Sequence, residues 1–550
     1  MTRMVQTGYL KELEFLYGKS LARRILPRFK QLVERYRGRI PVPARTSLSE
    51  RDSILITYAD QVQEAGQPQM LNLLAFCEAC LRGVVSGIHV LPFYPTSSDD
   101  GFSVKDHRTV DPALGDWSTV ERLGRSFRLM LDGVINHASV QGEWFQAFLR
   151  DEKPYRDYFL TVEDDPDLSK VVRPRPSPLI TEFQTRAGIR RVWTTFSADQ
   201  ADLEYHNPEV LLDIFDILLT YAQHGAQFIR LDAAAYLWKE IGSACIHLPQ
   251  THAIIRLLRE MLDSVAPHVQ LVSETNVPHA ENITYFGNGK DEAQLIYNFA
   301  LPPLVLHTFR AGDASILSQW ASGLEMSHGQ TTFFNFLASH DGIGLNPVVG
   351  ILAPADIAAL LKQTLDHGGL LSYKQNADGT RSPYELNINY FDALSDPAGD
   401  EPLALQIDRF MAAQAIMLSL RGLPGIYFHS LFGLRNWLEG VQANGRNRLI
   451  NRQKLARKVF EGELAEPGSV RAQVFARYQR LLAQRSASTA FHPYGRQKII
   501  EMGSAVFAVL RSSPQDDRQV LCMQNVTAQS QSVPGFNLGP YETLWQEIPR

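Results

Sequence analysis

Eight short apolar runs lie between residues 53 and 428, each giving way to polar or acidic residues, and amphipathic stretches follow many of them. They are Ser53–Thr57, Gly87–Leu91, Arg128–Val134, Phe228–Leu231, Val269–Ser273, Leu295–Phe299, Thr332–Ala338 and Gly425–Phe428. Alternation of this kind lays parallel strands side by side with helices packed outside them. Eight such units predict an α/β fold, a (β/α)8 TIM barrel, over residues 49–488. The spacing widens twice, at about 138–205 after the third run and at about 342–400 after the seventh. Both gaps are turn-rich and read as insertions above the mouth of the barrel. Residues 489–550 alternate apolar and polar positions with turns between them, which predicts a C-terminal antiparallel β domain.

Residues 1–48 form a helical extension of another character. Between Lys19 and Arg39 eight basic residues face one Glu, a local charge of +7. Leu21, Ile25, Phe29, Leu32, Val33 and Tyr36 recur at helical spacing, and Pro27 is expected to kink or restart the helix. The reading is a docked helix with a solvated basic face; the alternative is a membrane or polyanion surface.

Composition narrows the partners. A net charge of −5 argues against nucleic acid. No apolar run approaches the roughly 18 residues that span a bilayer, and the N-terminal stretch has no apolar signal region. Four cysteines cannot build a disulfide framework, which points to a reducing cytoplasm. Cys77 and Cys80 form a lone CxxC in a helical run and are read as buried structural residues. Gly287–Glu292 is too short for a phosphate loop and reads as a turn.

In a barrel enzyme the active site collects where strands end. There the sequence offers Asp132, Asn136 and His137 after the third run, and Arg230 and Asp232 after the fourth. Glu274 follows the fifth, and His340 and Asp341 the seventh. Asp232, Glu274 and Asp341 thus enter one mouth from separate strands. Arg230, two residues before Asp232, shares its face and favours an ionised carboxylate, as a nucleophile requires. Glu274 has no such neighbour and is expected to carry the raised pKa of a general acid/base. His340 is placed to hydrogen-bond a substrate hydroxyl.

The motifs DGVINH, FIRLD, SETN and ASHDG, in this order, resemble those of glycoside hydrolase family 13, the α-amylase clan. ITYAD, HVLPFYPTSSDDGFSVKDH, RPRP, YNFALPPLVLH, SHDGIG and NRLINR look closer to its sucrose phosphorylase subfamily. The resemblance covers about residues 50–550. The N-terminal extension and SETNVPHAENITYFGNG look most like the glucosylglycerate phosphorylases of that subfamily.

This resemblance implies retaining glucosyl transfer, with Asp232 as nucleophile, Glu274 as general acid/base and Asp341 as transition-state stabiliser. Retention calls for carboxyls roughly 5–5.5 Å apart. Asp99, His137, Arg230, His340 and Arg448 would hold the donor glucose, with Phe102 and Tyr236 offering apolar faces. Arg446, two residues earlier, competes with Arg448 for that place. A phosphate nucleophile needs a fixed cation; Arg175 of RPRP is the candidate, supported by Arg173. Phe196 would wall the acceptor pocket or simply pack, and Tyr384 and Glu385 align with the region that contacts the acceptor in sucrose phosphorylases. Sucrose phosphorylases typically carry Gln where Glu385 stands, which disfavours sucrose. Glu385 would bind acceptor hydroxyls while an arginine takes a glycerate carboxylate, or would suit a neutral acceptor such as glycerol.

The implied reaction is reversible phosphorolysis of 2-O-α-D-glucosylglycerate to α-D-glucose 1-phosphate and D-glycerate. The alternatives are a glucosylglycerol, sucrose 6′-phosphate or sucrose phosphorylase, and an α-glucosidase or transglucosidase. No cofactor or metal is expected, inorganic phosphate being a substrate: amylase relatives often bind calcium near the residue matching Asn136, but no dense run of oxygen ligands surrounds it. The partners are small molecules, and the chain is expected to be a monomer or homodimer.

Overall fold

The computed structural model describes residues 2–324, 330–376 and 378–548. Its centre is a closed barrel of eight parallel strands: β1 (Ile54–Thr57), β2 (Gly87–Val90), β3 (Arg128–Val134), β4 (Ala226–Asp232), β5 (Gln270–Ser273), β6 (Leu295–Tyr297), β7 (Thr332–Asn335) and β8 (Leu423–Tyr427). Neighbours in sequence are neighbours in the barrel, and β8 closes on β1 with Ile54 opposite Gly425. Gly425 is required there, because a Cβ would lie 2.4 Å from the Phe334 ring. All eight sequence-predicted runs are barrel strands. The seventh ends earlier than expected, at Asn335, because Phe336 and Leu337 stay buried in the loop that follows. An apolar loop residue and a strand residue look alike in sequence.

The two insertions hold more regular structure than their turn-rich sequence suggested. In the first, His137–Ser139 pairs with Gln200–Asp202, and Ile180–Thr185 forms a hairpin with Gly188–Trp193. In the second, Ile343–Gly344, Arg381–Asn387 and Leu370–Gln375 make a three-stranded sheet. These elements rise over the strand ends that carry the polar residues.

The N-terminal helix α1 (Thr2–Tyr36) breaks at Gly18 (φ 73°, ψ 159°) and does not restart at Pro27, where the backbone dihedrals stay helical. Pro27 and Arg23, the residue whose carbonyl loses its helical partner, are both exposed. The apolar face docks on α2 (Pro208–Gln223) and α3 (Pro249–Val265). Phe29 meets Phe215 edge-on at 5.9 Å, and the Tyr36 hydroxyl donates to the Asp216 carboxylate at 2.8 Å. Arg28 grips Glu209 through both nitrogens, and Arg35 pairs with Asp216 at 3.0 Å. Lys19, Arg23 and Arg24 remain on the exposed face. Among the described residues no helix is long and apolar enough to cross a membrane.

A four-stranded antiparallel sheet, β9 (Arg496–Ile499), β10 (Val506–Ser512), β11 (Gln519–Asn525) and β12 (Thr543–Glu547), closes the chain. Two buried arginines tie it to the barrel using carbonyls as acceptors. Arg485 donates to the carbonyls of Asp52 (3.1 Å), Gly422 (3.2 Å), Phe491 (3.1 Å) and Glu50. Arg511 donates to Ser419 (2.8 Å), His492 (3.0 Å) and Arg496 (3.3 Å). Burial pulls both guanidiniums down, Arg485 to about 10 and Arg511 to about 9. Arg485→Met would leave four carbonyls without their donor. It is expected to cost about 3 kcal/mol or more, read from denaturant unfolding.

Candidate active site

β4 places Arg230 and Asp232 on one face, and Arg230 becomes the hub of the barrel mouth. Its Nη1 donates to Asp132 at 2.5 Å and to Asp232 at 2.9 Å, while Nη2 lies 3.8 Å from Glu274. Asp132 also faces His89 Nε2 at 2.7 Å. Burial would raise Asp132, but His89 and Arg230 hold it below the ordinary carboxylate range. The guanidinium stands over the rings of Phe102 (5.6 Å) and Tyr297 (5.3 Å), which keep water from it.

The sequence reading expected Arg230 to depress Asp232 and leave Glu274 alone raised. The structure corrects this. Burial pushes Asp232 up to about 7 against Arg230, with Asp132 and Asp341 adding to the rise. Burial likewise pushes Glu274 up to about 7 against Arg230, with Asp232 and Asp341 adding. The reason is division of charge: Asp132, from another strand, takes the shortest bond to Arg230. Asp341 differs, because Arg448, His340, Arg452 and Arg230 overcome its burial and hold it well below the usual range.

Most residues singled out in the sequence line one cavity. Asp232, Glu274 and Asp341 share it with Asp99, Phe102, His137, His340, Arg448, Arg175, Phe196, Tyr384 and Glu385. Arg230 is buried beneath. His340 stacks on Phe102 at 4.8 Å with the rings 2° apart, and burial drives its pKa well down, leaving a neutral imidazole. His137 is also lowered by burial, and its Nε2 donates to the Phe102 carbonyl at 2.9 Å. Arg448 Nη1 lies 2.5 Å from Asp341, whereas Arg446 reaches Asp100 at 2.9 Å, so Arg448 is the arginine facing the cavity.

Two expected residues lie outside it. Tyr236 stands edge-on to Phe196 at 5.6 Å, and Phe196 takes the place on the cavity wall. Arg173 turns into its own loop and donates to the Ser177 carbonyl, which uses the guanidinium to shape the turn bearing Arg175. Glu385 is also not free for acceptor hydroxyls: Arg448 holds it bidentately at 2.5 Å and 3.1 Å. Arg175 lies 3.8 Å from Glu385 and over the rings of Tyr384 (5.6 Å) and Phe196 (5.9 Å).

Sequence reasoning missed Asn276, Gln200 and Arg452. Asn276 lines the cavity, and its buried Oδ1 has no hydrogen-bond partner among the described residues. Its position two residues after Glu274 was the available signal. Gln200 Nε2 donates to Asp99 at 3.2 Å from inside an insertion, where no spacing rule points to it. Asn136 Oδ1 accepts from Lys239 Nζ at 2.7 Å, and that Nζ lies 2.6 Å from Asp202. An ammonium group thus sits between these oxygens. Of the CxxC pair, Cys77 is buried but Cys80 is only partly so.

Two raised carboxyls tax the fold at alkaline pH. Well below the ordinary carboxylate range, folded and unfolded chains both hold these protons. Between that range and about 7 the unfolded chain releases them while the folded site keeps them, so stability falls as pH rises. Asp232→Asn removes one carboxyl and relieves Glu274. The variant is expected to melt higher than the parent at pH 8, by about 2 °C, with the gap closing near pH 4; thermal melts at both pH values check it.

A family model described as "Alpha amylase, catalytic domain" matches residues 83–346. A glucosylglycerate phosphorylase of Allomeiothermus silvanus is 49% identical over 558 residues, covering 99% of each chain. A glucosylglycerate phosphorylase of Escherichia coli (strain K12) is 43% identical over 535 residues, covering 97% of this chain and 94% of its own. Among solved structures, a sucrose 6F-phosphate phosphorylase from Thermoanaerobacter thermosaccharolyticum shares the fold, with a TM-score of 0.76 at 22% identity over 92% of this chain and 100% of that one. With a barrel of this topology, and full-length relatives at this identity, the chain belongs to the glucosylglycerate phosphorylase family within the α-amylase clan.

Proposed function

We propose that the chain is a retaining glucoside phosphorylase that converts 2-O-α-D-glucosylglycerate and phosphate, reversibly, to α-D-glucose 1-phosphate and D-glycerate. The observation that carries this reading is the sharing of Arg230 by Asp232 and Glu274 beneath a cavity that also receives Arg175. The near full-length relatives named glucosylglycerate phosphorylase support it.

Asp232 keeps the 2.9 Å bond to Arg230 while Glu274 stands at 3.8 Å, so Arg230 favours the ionised form of Asp232 more than that of Glu274. Ionised Asp232 attacks the anomeric carbon of the α-glucoside. Glu274 gives its proton to the departing glycerate oxygen, and a β-glucosyl-enzyme forms. Asp341, kept anionic by its arginines, faces the oxocarbenium-like charge that develops on the sugar. Phosphate then enters beside Arg175, its oxygen bonds to the same carbon, and Asp232 leaves. Glu274 takes back a proton from the incoming phosphate. No step requires a metal, and the Lys239 ammonium already fills the gap between Asn136 and Asp202.

The acceptor follows from charge. A free Glu385 would repel glycerate, but Arg448, which it shares with Asp341, offsets part of its charge, and Arg175 adds a cation on the same side. In reverse, with α-glucose 1-phosphate supplied, phosphate release is expected to be about ten-fold or more faster with D-glycerate than with glycerol, fructose or fructose 6-phosphate. Preference for glycerol would overturn the substrate while leaving the two-step chemistry in place. Release with water alone would overturn the phosphorylase reading in favour of a glucosidase.

A further inference from the structure

The turn that follows β2 is held in an unfavourable backbone shape. Asp99 (φ 53°) and Asp100 (φ 49°) both lie in the left-handed region, and Gly101 follows at φ 114°. Non-glycine residues there cost free energy and persist only where their surroundings hold them. Gly101 is pressed against the barrel, since a Cβ on it would sit 2.6 Å from the Pro92 carbonyl.

The holding groups come from the segment that follows β8, two strands round the barrel. Arg446 Nη2 donates to Asp100 Oδ1 at 2.9 Å, and Arg452 Nη1 donates to Oδ2. Arg452 is buried; its Nε donates to the His340 carbonyl at 2.7 Å, and Nη2 lies 3.7 Å from Asp341. One carboxylate therefore ties the turn after β2 to segments after β7 and β8. Asp99, the preceding residue, lines the cavity. The Arg446 side chain is 47% exposed and Arg452 only 2%, so the grip has a wet outer half and a dry inner half.

We propose that Asp100 is a positioning residue for the donor-sugar subsite: clamped between Arg452 and the rim residue Arg446, it holds the left-handed turn that aims Asp99 at the glucosyl unit. This inference rests on the reading of the cavity as a glucoside site. It has a specific kinetic signature. Loss of the clamp weakens capture of a free glucoside. It leaves nearly untouched the second half-reaction, in which the glucosyl unit is already covalently bound at the start.

The test compares Asp100→Ala, Asp100→Asn and Arg446→Ala with the parent enzyme. In Asp100→Ala, kcat/KM for α-glucose 1-phosphate and for glucosylglycerate is expected to fall about ten- to hundred-fold, while kcat/KM for glycerate and phosphate stays within about three-fold. Asp100→Asn, which keeps the shape and loses the charge, should recover part of the loss. Arg446→Ala removes only the outer half, so its smaller loss, about three-fold, should be matched in the parent by raising salt. Because Arg446 is a rim residue, this variant keeps the test open if Asp100→Ala does not fold. Equal losses for donors and acceptors, or unchanged donor constants in a folded Arg446→Ala with no salt effect in the parent, would overturn the inference. A parent enzyme without phosphate-dependent turnover would instead overturn the reading beneath it.

Discussion

Asp232→Asn is expected to lower kcat for phosphorolysis by about 10⁴-fold or more, because an amide cannot form the glucosyl ester on which both half-reactions depend. Initial rates of α-glucose 1-phosphate formation measure this. The fold should survive, since Arg230 keeps Asp132 and Glu274 as partners. Glu274→Gln separates the two roles. With glucosylglycerate it should fall about 10³-fold, because the departing alkoxide then receives no proton. With α-glucosyl fluoride, whose leaving group needs little protonation, the first half-reaction should recover most of its rate. Equal slowing of both donors would remove Glu274 from the acid role.

Arg175→Ala is the second large effect. A charge-assisted bond to a phosphate oxygen contributes roughly 1.5–3 kcal/mol, so kcat/KM for phosphate should fall about ten- to hundred-fold. The first half-reaction, followed as a glycerate burst with saturating glucosylglycerate alone, should stay within about three-fold of the parent, the loss appearing in KM, because Arg175 holds the substrate carboxylate in ground state and transition state alike. Arg175→Lys should restore only part of the loss, because an ammonium supplies charge without the planar fork. Reverse turnover with glycerate should weaken as well, since the same cation faces the acceptor carboxylate. A variant that lost glycerate turnover but kept phosphate turnover would assign Arg175 to the organic acid alone.

Much of this architecture was legible because barrel strands advertise themselves twice, by an apolar run and by the polar residue that ends it. Arg128–Val134 was read to the residue, since every position of that strand is buried. Asp232, Glu274 and Asp341 were legible for the same reason. What sequence could not supply was competition between strands. Arg230 beside Asp232 is a local fact; the prior claim of Asp132 on that guanidinium arises only when β3 and β4 pair, with Asp132 opposite Arg230. The arginines of NRLINR show the same limit. Arg446, Arg448 and Arg452 are chemically identical, and the short 3-10 turn Asn447–Asn451 decides that Arg448 faces the cavity while the other two grip Asp100. Tyr236 and Arg173 were misplaced because a nearer side chain, Phe196, and a nearer acceptor, the Ser177 carbonyl, are set by insertion geometry with no repeating period to read.

The chemistry turns on whether a sugar becomes bonded to the carboxylate at the end of β4. Glu274→Gln enzyme mixed with α-glucosyl fluoride, quenched before phosphate is added and digested, should yield one hexosyl adduct on the peptide bearing Asp232. The intact enzyme should then release α-glucose 1-phosphate with the anomeric configuration of its substrate. An unmodified Asp232 peptide together with a β-configured sugar phosphate would show direct displacement, and the double-displacement account would be wrong.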